Sequence, residues 1–381
     1  MPQTVKNKLL TVQLIALHMM DVLEEIFVAK DIVHFDATNE YFTEQNVGDT
    51  VNVKIPAEFE AHEFKDKIVV QGINEGKIPV VMDTHLDVSV PYTTKEETLS
   101  ITNFMGNHGR NMVKGLVRKI EKMIIHRTAE SAALAVGSPT AAPSADIVAD
   151  VMQVLTEGLI PEEDRNGFLS PRMVRDIRVG ASNVSHVGTD ATLRTGALLP
   201  LYGAGLYQSQ NTPIIDPGAF AALNDVTITG AEGSRTVTLT SAAGVSTDKL
   251  NAGAQIKISG EAYAVVKGAQ AIAGVVTVEI APALGLDADH VPVSFVTSQK
   301  HVANTIVQKN SFVVVHRPFA LPAGLAPGLG HVVWSDVLGL GIRVCKGYDL
   351  VTKTNLISVD CLFGTQVLRP RGICRIMGKA S

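Results

Sequence analysis

VGDTVNVKIPAEFEAHEF at residues 47–64 and KIPVVMDTHLDVSVPY at residues 77–92 decide how this chain is read. The first half of each alternates β-branched and polar residues, the period-two pattern of a half-exposed strand. Between them FKDKIVVQGINEG is a polar crossing that contains Gly. Residues 47–92 therefore read as a long two-stranded excursion. A two-stranded ribbon has no core of its own, so other surfaces must cover it.

Working outward, residues 7–30 carry Leu10, Leu14, Leu17, Val22 and Ile26 at roughly helical spacing with no Gly or Pro, which predicts an amphipathic helix. Residues 98–136 give the strongest helix. Val113, Leu116, Val117, Ile120 and Ile124 form one stripe, and Arg110, Lys114, Arg118 and Lys122 recur every four residues along another. Its expected length is about 25 residues, or about 37 Å. GSPTAAPSA ends it, a second helix is expected over 146–157, and a mixed region follows through Arg178. The texture changes near Asn224. From there to Val296 short alternating segments are separated by Gly or Asn turns, the pattern of a small all-β sandwich or barrel. Beyond it, strands are expected at 312–315, 341–348 and 354–363.

The chain has 381 residues, of which 46% are hydrophobic and 19% charged, too apolar for disorder. No apolar run approaches the roughly 20 residues of a membrane span, so no membrane partner is expected. Aromatics are only 5%, against 32 Gly and 17 Pro, which suits close contacts between strands better than a deep ligand pocket. A net charge of −5 lacks the overall positive balance of a dedicated nucleic-acid binder, so any contact with nucleic acid has to be local. The N-terminal apolar stretch is interrupted by Gln13 and His18 and runs into Asp21, Glu24 and Glu25 without a cleavage pattern. Retention in a reducing cytosol is expected.

Candidate chemistry is sparse. Asp83, His85 and Asp87 share one face of a continuous strand and could converge on a metal, but no second cluster completes such a site; the competing reading is a solvated or partner-facing strand face. GAGLYQ at Gly203 and GLG at Gly328 and Gly339 lack the dinucleotide fingerprint, and neither a phosphate-binding loop nor a G-x-S-x-G elbow is present. Cys345, Cys361 and Cys374 match no zinc or redox spacing and read as buried apolar thiols. The basic stripe could face a phosphate backbone; a solvated or interface face paired with carboxylates is the favoured reading. Arg369, Arg371 and Arg375 read as a turn and final strand anchored by salt bridges. No catalytic, cofactor-binding or metal residue is assigned.

The order of parts, with an excursion that lacks a core and a long helix striped on several faces, points to a lattice component. VGDTVNVKIP followed by GINEGKIPVVMDTHLDVSVPYTTKEETLSI (residues 72–101), TLRTGALLPLYGAGLYQSQNTP (192–213) and FVVVHRPFALP (312–322) resemble segments of the major capsid proteins of tailed phages with the HK97-like fold, in the P22-like branch that carries an inserted β domain. The resemblance implies an α+β fold with an N-terminal arm at 1–46, an extended loop over a neighbouring subunit at 47–92, and a peripheral domain with its spine helix at 93–136. It implies an axial domain at 137–223 and 300–381, and an inserted β domain at 224–299.

The function so implied is a coat protein that self-assembles as hexamers and pentamers into an icosahedral shell around double-stranded DNA. The implied partners are a scaffolding protein, a portal, a cementing protein and weakly contacted DNA. The implied location is the virion capsid, assembled in the host cytoplasm. Arg110, Lys114, Arg118 and Lys122 are then candidate interface or inner-surface residues. The alternatives are an encapsulin-like compartment shell, a metal-dependent enzyme using Asp83, His85 and Asp87, and a surface-binding protein that uses the β module for adhesion.

Overall fold

The computed structural model describes residues 12–36, 50–55, 76–93, 108–141, 146–183, 200–242, 247–317, 319–322, 324, 329–335, 339–349 and 354–380. The chain divides into two compact units. One gathers Met1–Ile26, Phe35–Leu116 and Val314–Leu368, the other Phe27–His34, Val117–Val313 and Arg369–Ser381.

The first unit is organised by an antiparallel sheet in which Thr354–Val367 lies between Thr84–Thr93 and Leu340–Asp349, with Gly330–Ser335 beyond. Thr84 to Thr93 pair residue by residue with Phe363 to Thr354. Helix α1 (Val12–Ile26) packs on Gly330–Ser335 and Leu340–Asp349. Its buried face is Val12, Ile15, Ala16, Met19 and Leu23, a cleaner 3–4 spacing than the expected one. Leu14 and Leu17, expected to be core, are 46% and 44% exposed. The helix also stops at Ile26, and Ala29–Asp31 forms a 3-10 turn in place of the expected continuation to residue 30.

The expected excursion is corrected in its second half. Thr50–Ile55 pairs antiparallel with Gly76–Val81, from Thr50 opposite Val81 to Ile55 opposite Gly76. The return segment then breaks at Met82 and Asp83, and Thr84–Thr93 joins the large sheet. The ribbon is also less bare than expected, because Val51, Val53, Ile78 and Val80 are buried. Residues 56–75 lie outside the described residues.

Helix α2 (Arg110–Glu130) starts in the first unit and continues from Val117 in the second. Val113, Leu116, Val117, Ile120 and Ile124 are buried as their spacing requires. The helix ends earlier than the expected residue 136. Thr128 and Ser131 turn their hydroxyls onto the carbonyls of Ile124 and Arg127, and Leu134–Gly137 leaves as a strand parallel to Ile373–Lys379. Residues 98–107 lie outside the described residues.

In the second unit a mixed sheet runs in the order Leu134–Gly137, Ile373–Lys379, His301–Gln308, Arg165–Leu169, Gly205–Gln208. Helices α3 (Asp146–Glu157) and α4 (Pro171–Asn183) bury Val148, Val151, Leu155, Met173, Val174 and Ile177 in one core with Ile306, Cys374 and Ile376 of the sheet. Ser170 caps α4 by accepting from the Met173 N–H, with Pro171 at its first position. Alternation puts Ala303 and Arg375 on the opposite face, where Ala303 clusters with Ala129 and Ile215.

Residues 226–295 supply six antiparallel strands that close a barrel in the order 236–241, 275–281, 261–267, 255–258, 288–295, 226–230. The inward side chains include Ile228, Leu239, Ile256, Ile258, Tyr263, Val265, Val278 and Ile280. Closure leaves no sheet edge open. Ile258 and Glu261 are joined by Ser259 at φ 50° and Gly260 at φ 90°, the two left-handed positions of a tight hairpin turn.

Candidate functional site

The three residues with metal-ligand spacing are not brought together. Asp83 lies between strands and accepts from the Thr84 hydroxyl, while Asp87 accepts from Ser89. His85 sits 3.4 Å from Asp360 on the neighbouring strand and meets Phe319 in a tilted contact, ring centroids 4.5 Å apart and planes at 60°. Asp360 is buried and bridged by Arg343, whose Nε donates at 3.0 Å and whose guanidinium lies over Phe319 and donates to the Ala320 carbonyl. The carboxylate beside it pushes the Arg343 pKa up. This network braces a sheet face. Among the described residues no three His, Cys, Asp or Glu side chains group as a metal site.

The basic stripe divides along its length. Arg110 pairs with Glu25 at 3.1 Å, Lys114 is half-buried, and Arg118 and Lys122 are exposed. On the flank of the same helix Glu121 accepts the Val28 N–H at 2.9 Å, and burial raises its pKa. Of the C-terminal arginines, Arg371 pairs with Glu261 of the barrel. Arg375 departs from the salt-bridge expectation.

Arg375 is fully buried, and its fork is spent on neutral acceptors. Nε and Nη2 donate to the Ala129 carbonyl in the last turn of α2, Nη1 donates to the Gly253 carbonyl at 2.7 Å, and Nη1 lies 3.4 Å from His301 Nε2. A cation at a helix C-terminus completes carbonyls that the helix leaves open and meets the negative end of its dipole. Beside it Gln255 of the barrel donates to the carbonyls of Ala132 and Leu134 at 2.7 and 3.0 Å. One strand, one helix end and the barrel thus share a polar joint. Composition does not announce it. The available signal is an arginine inside the run ICRIM, at a position where the strand is buried on both faces.

The thiols are free; Cys361 and Cys374 are buried, with pKa values pushed up to about 12, and Cys345 is half-exposed, unlike the expectation for all three. A cleft of about 440 Å³ is lined by Met152, Gln153, Glu157, Glu162, Arg165 and Tyr202. Arg165 in its wall is buried and saturated by the carbonyls of Ile160 and Pro161 and the Thr156 hydroxyl. What these groups offer is internal bracing, which suits a building block.

The fold points the same way. A chain in the capsid structure of cyanophage P-SCSP1u aligns over 93% of this chain and 89% of its own, at 10% identity and a TM-score of 0.52. One from the capsid of Ralstonia phage GP4 aligns over 92% and 87%, at 10% identity and 0.51. The architecture is therefore the HK97-like fold of phage capsid subunits. No curated protein matches the chain in sequence. The profile of the P22 coat protein (gene protein 5) family matches residues 7–282, and the chain belongs to that family: it is a tailed-phage major capsid protein, a self-assembling structural subunit of the virion shell. The encapsulin-like and metal-dependent enzyme readings are not favoured.

Proposed function

We propose that the chain builds an icosahedral shell of pentamers and hexamers around double-stranded DNA, without catalytic activity. Assembly takes place in the host cytoplasm on a scaffolding protein, with a portal at one vertex and a cementing protein outside. Residues 1–46 act as the arm, 47–92 as the extended loop, of which 47–83 reach over a neighbour while Thr84–Thr93 anchors it in the subunit's own sheet, 93–136 as the spine segment, and 137–223 with 300–381 as the axial domain. Residues 224–299 are an inserted β domain, a reading supported by the closed barrel within them. Arg110, Lys114, Arg118 and Lys122 serve as interface or inner-surface residues. The mildly acidic chain touches packaged DNA weakly, which favours release.

One observation carries this reading: the pairing of Ile55 with Gly76 makes residues 56–75 the connection of a hairpin far longer than a tight turn requires. A connection of this length exceeds what closing the hairpin requires and is suited to reaching a neighbouring subunit. Replacing residues 56–75 by Asn-Gly joins the paired ends directly. The expected product is a soluble monomer with an unchanged far-UV spectrum that forms no closed shells in electron micrographs. Shells of normal size and yield from this variant would contradict the assigned role.

A further inference from the structure

Asp146 suits the N-terminus of α3, but the C-terminal end of α3 and the N-terminal end of α4 carry charge against the helix dipole. Residues 146–164 hold six carboxylates and no Lys or Arg. Glu157 falls in the last turn of α3, where no basic residue compensates it, and Glu162, Glu163 and Asp164 follow, all exposed. Helix α4 does the reverse. Its first turn has no acidic residue and carries exposed Arg172, followed by exposed Arg175. A carboxylate at a helix C-terminus and a cation at an N-terminus are both unfavourable within the subunit.

The two clusters do not neutralise each other inside one copy. Glu162, Glu163 and Asp164 precede the strand Arg165–Leu169 and Arg172 follows it, so these charges are separated by its five residues, about 16 Å at the rise of a strand. That is about two Debye lengths at physiological salt. Among the described residues no ion pair engages Glu157, Glu162, Glu163 or Arg172, and Arg175 meets only Asp176, its neighbour in sequence.

The acidic end also has a receptacle. The 440 Å³ cleft places Glu157, which accepts from the Gln153 side-chain amide, and Glu162 beside Met152 and the exposed ring of Tyr202; its own Arg165 lies near enough to feel the Glu162 charge but is buried, with its donors turned to the Ile160 and Pro161 carbonyls and the Thr156 hydroxyl. Carboxylates next to an aromatic face are a guanidinium site. Leu159, two residues past Glu157, is 91% exposed at φ 56°, and Tyr202 is 59% exposed at φ 51°. Two large apolar side chains held outward at left-handed backbone positions beside a charged cleft are suited to burial by a partner.

We propose that the cleft of one copy receives Arg172 of the next, with Arg175 on the rim and Leu159 and Tyr202 as apolar anchors. The contact is heterologous, acidic end to basic end, and such a contact closes rings when its rotation divides a full turn. It rests on the reading of the chain as a ring-forming shell subunit and assigns the ends that meet.

The test is charge reversal in the full-length chain under conditions where the unaltered chain forms shells. Glu157→Lys with Glu162→Lys, and separately Arg172→Glu with Arg175→Glu, are each expected to lower shell yield at least tenfold. Combining all four in one chain restores complementarity and is expected to recover yield to within about threefold. Full assembly by either double variant overturns the proposal, and so does a four-fold variant that stays unassembled. If the unaltered chain itself stays monomeric with and without a scaffold, the shell reading falls first and the contact with it; assembly by the unaltered chain and every variant removes the contact alone.

Discussion

Replacing Arg375 by methionine is expected to destabilise the second unit by about 3–5 kcal/mol, more than any surface change in the chain. The side chain is fully buried, and its loss strands the carbonyls of Ala129 and Gly253 away from water. Each buried acceptor left open costs about 1–3 kcal/mol, and a methionine fills the volume without supplying a donor. Burial lowers the Arg375 pKa to about 10, so the group stays charged at neutral pH and the fork is worth its desolvation only while all its acceptors are in place. For a unit of this size the loss corresponds to a fall in thermal midpoint of about 8–15 °C. Lysine should recover only part of this, because a point charge with three donors cannot span two carbonyls as a planar fork does. Urea unfolding of the unassembled subunit, followed by far-UV circular dichroism, measures it. A change below about 1 kcal/mol would mean that the joint does not hold the barrel, helix end and sheet together.

The second large effect is with acid. His301 and His316 are both buried and held neutral, with pKa values lowered from 6.5 to about 4 and about 3. Desolvation is the main cause in each case. At His301, the Arg375 cation of the final strand adds to it, against the Gln299 carbonyl that holds its Nδ1. At His316, Nδ1 accepts the Gly341 N–H at 3.2 Å, while buried Nε2 has no partner among the described residues. Unfolded histidine takes up its proton near pH 6.5 and the folded groups do not. Their contribution is therefore complete above pH 6.5 and is lost as pH falls towards 4 for His301 and 3 for His316, at most about 3 kcal/mol for the first and about 5 kcal/mol for the second. His126 works in the opposite sense, since its bond to Glu130 raises its pKa and its contribution is lost as pH rises, but it is half-exposed and weak. Urea midpoints taken between pH 7.5 and 4 should fall steadily below pH 6.5, and His301→Gln should flatten part of that slope. A midpoint independent of pH over this range would contradict the burial of both rings.

Much of this was legible where one element's own spacing settles its burial. The stripe Val113, Leu116, Val117, Ile120 and Ile124 is buried as its period demands. The alternating, turn-punctuated run from 226 to 295 folds as strands separated by turns in which Gly233, Gly253, Gly260 and Gly274 take left-handed positions. Misreadings fall where a distant partner decides. LAVG at 134–137 is compatible with helix, and it is a strand because Ile373–Lys379 offers it a parallel edge. The face of α1 was misjudged because Leu14 and Leu17 satisfy a helical period as well as Ile15 and Met19 do, and only the sheet beneath chooses between them. Asp83, His85 and Asp87 shared a face only on the premise of an unbroken strand, and the chain breaks at Asp83.

The polar joints were the least visible. Arg375 with Ala129, and Arg343 with Asp360, join residues 246 and 17 positions apart, with no local pattern marking either pair. The Ser170–Pro171 pair, by contrast, was a readable cap followed by a first-position proline, and it announces α4 inside a region expected only to be mixed.

The most direct test of the central claim is negative-stain electron microscopy of the purified full-length chain, expressed alone and with a candidate scaffolding protein. A coat subunit of this fold should yield closed shells with the scaffold, and shells, sheets or tubes without it. Persistent monomers under every condition, with no ordered assembly of any kind, would contradict it.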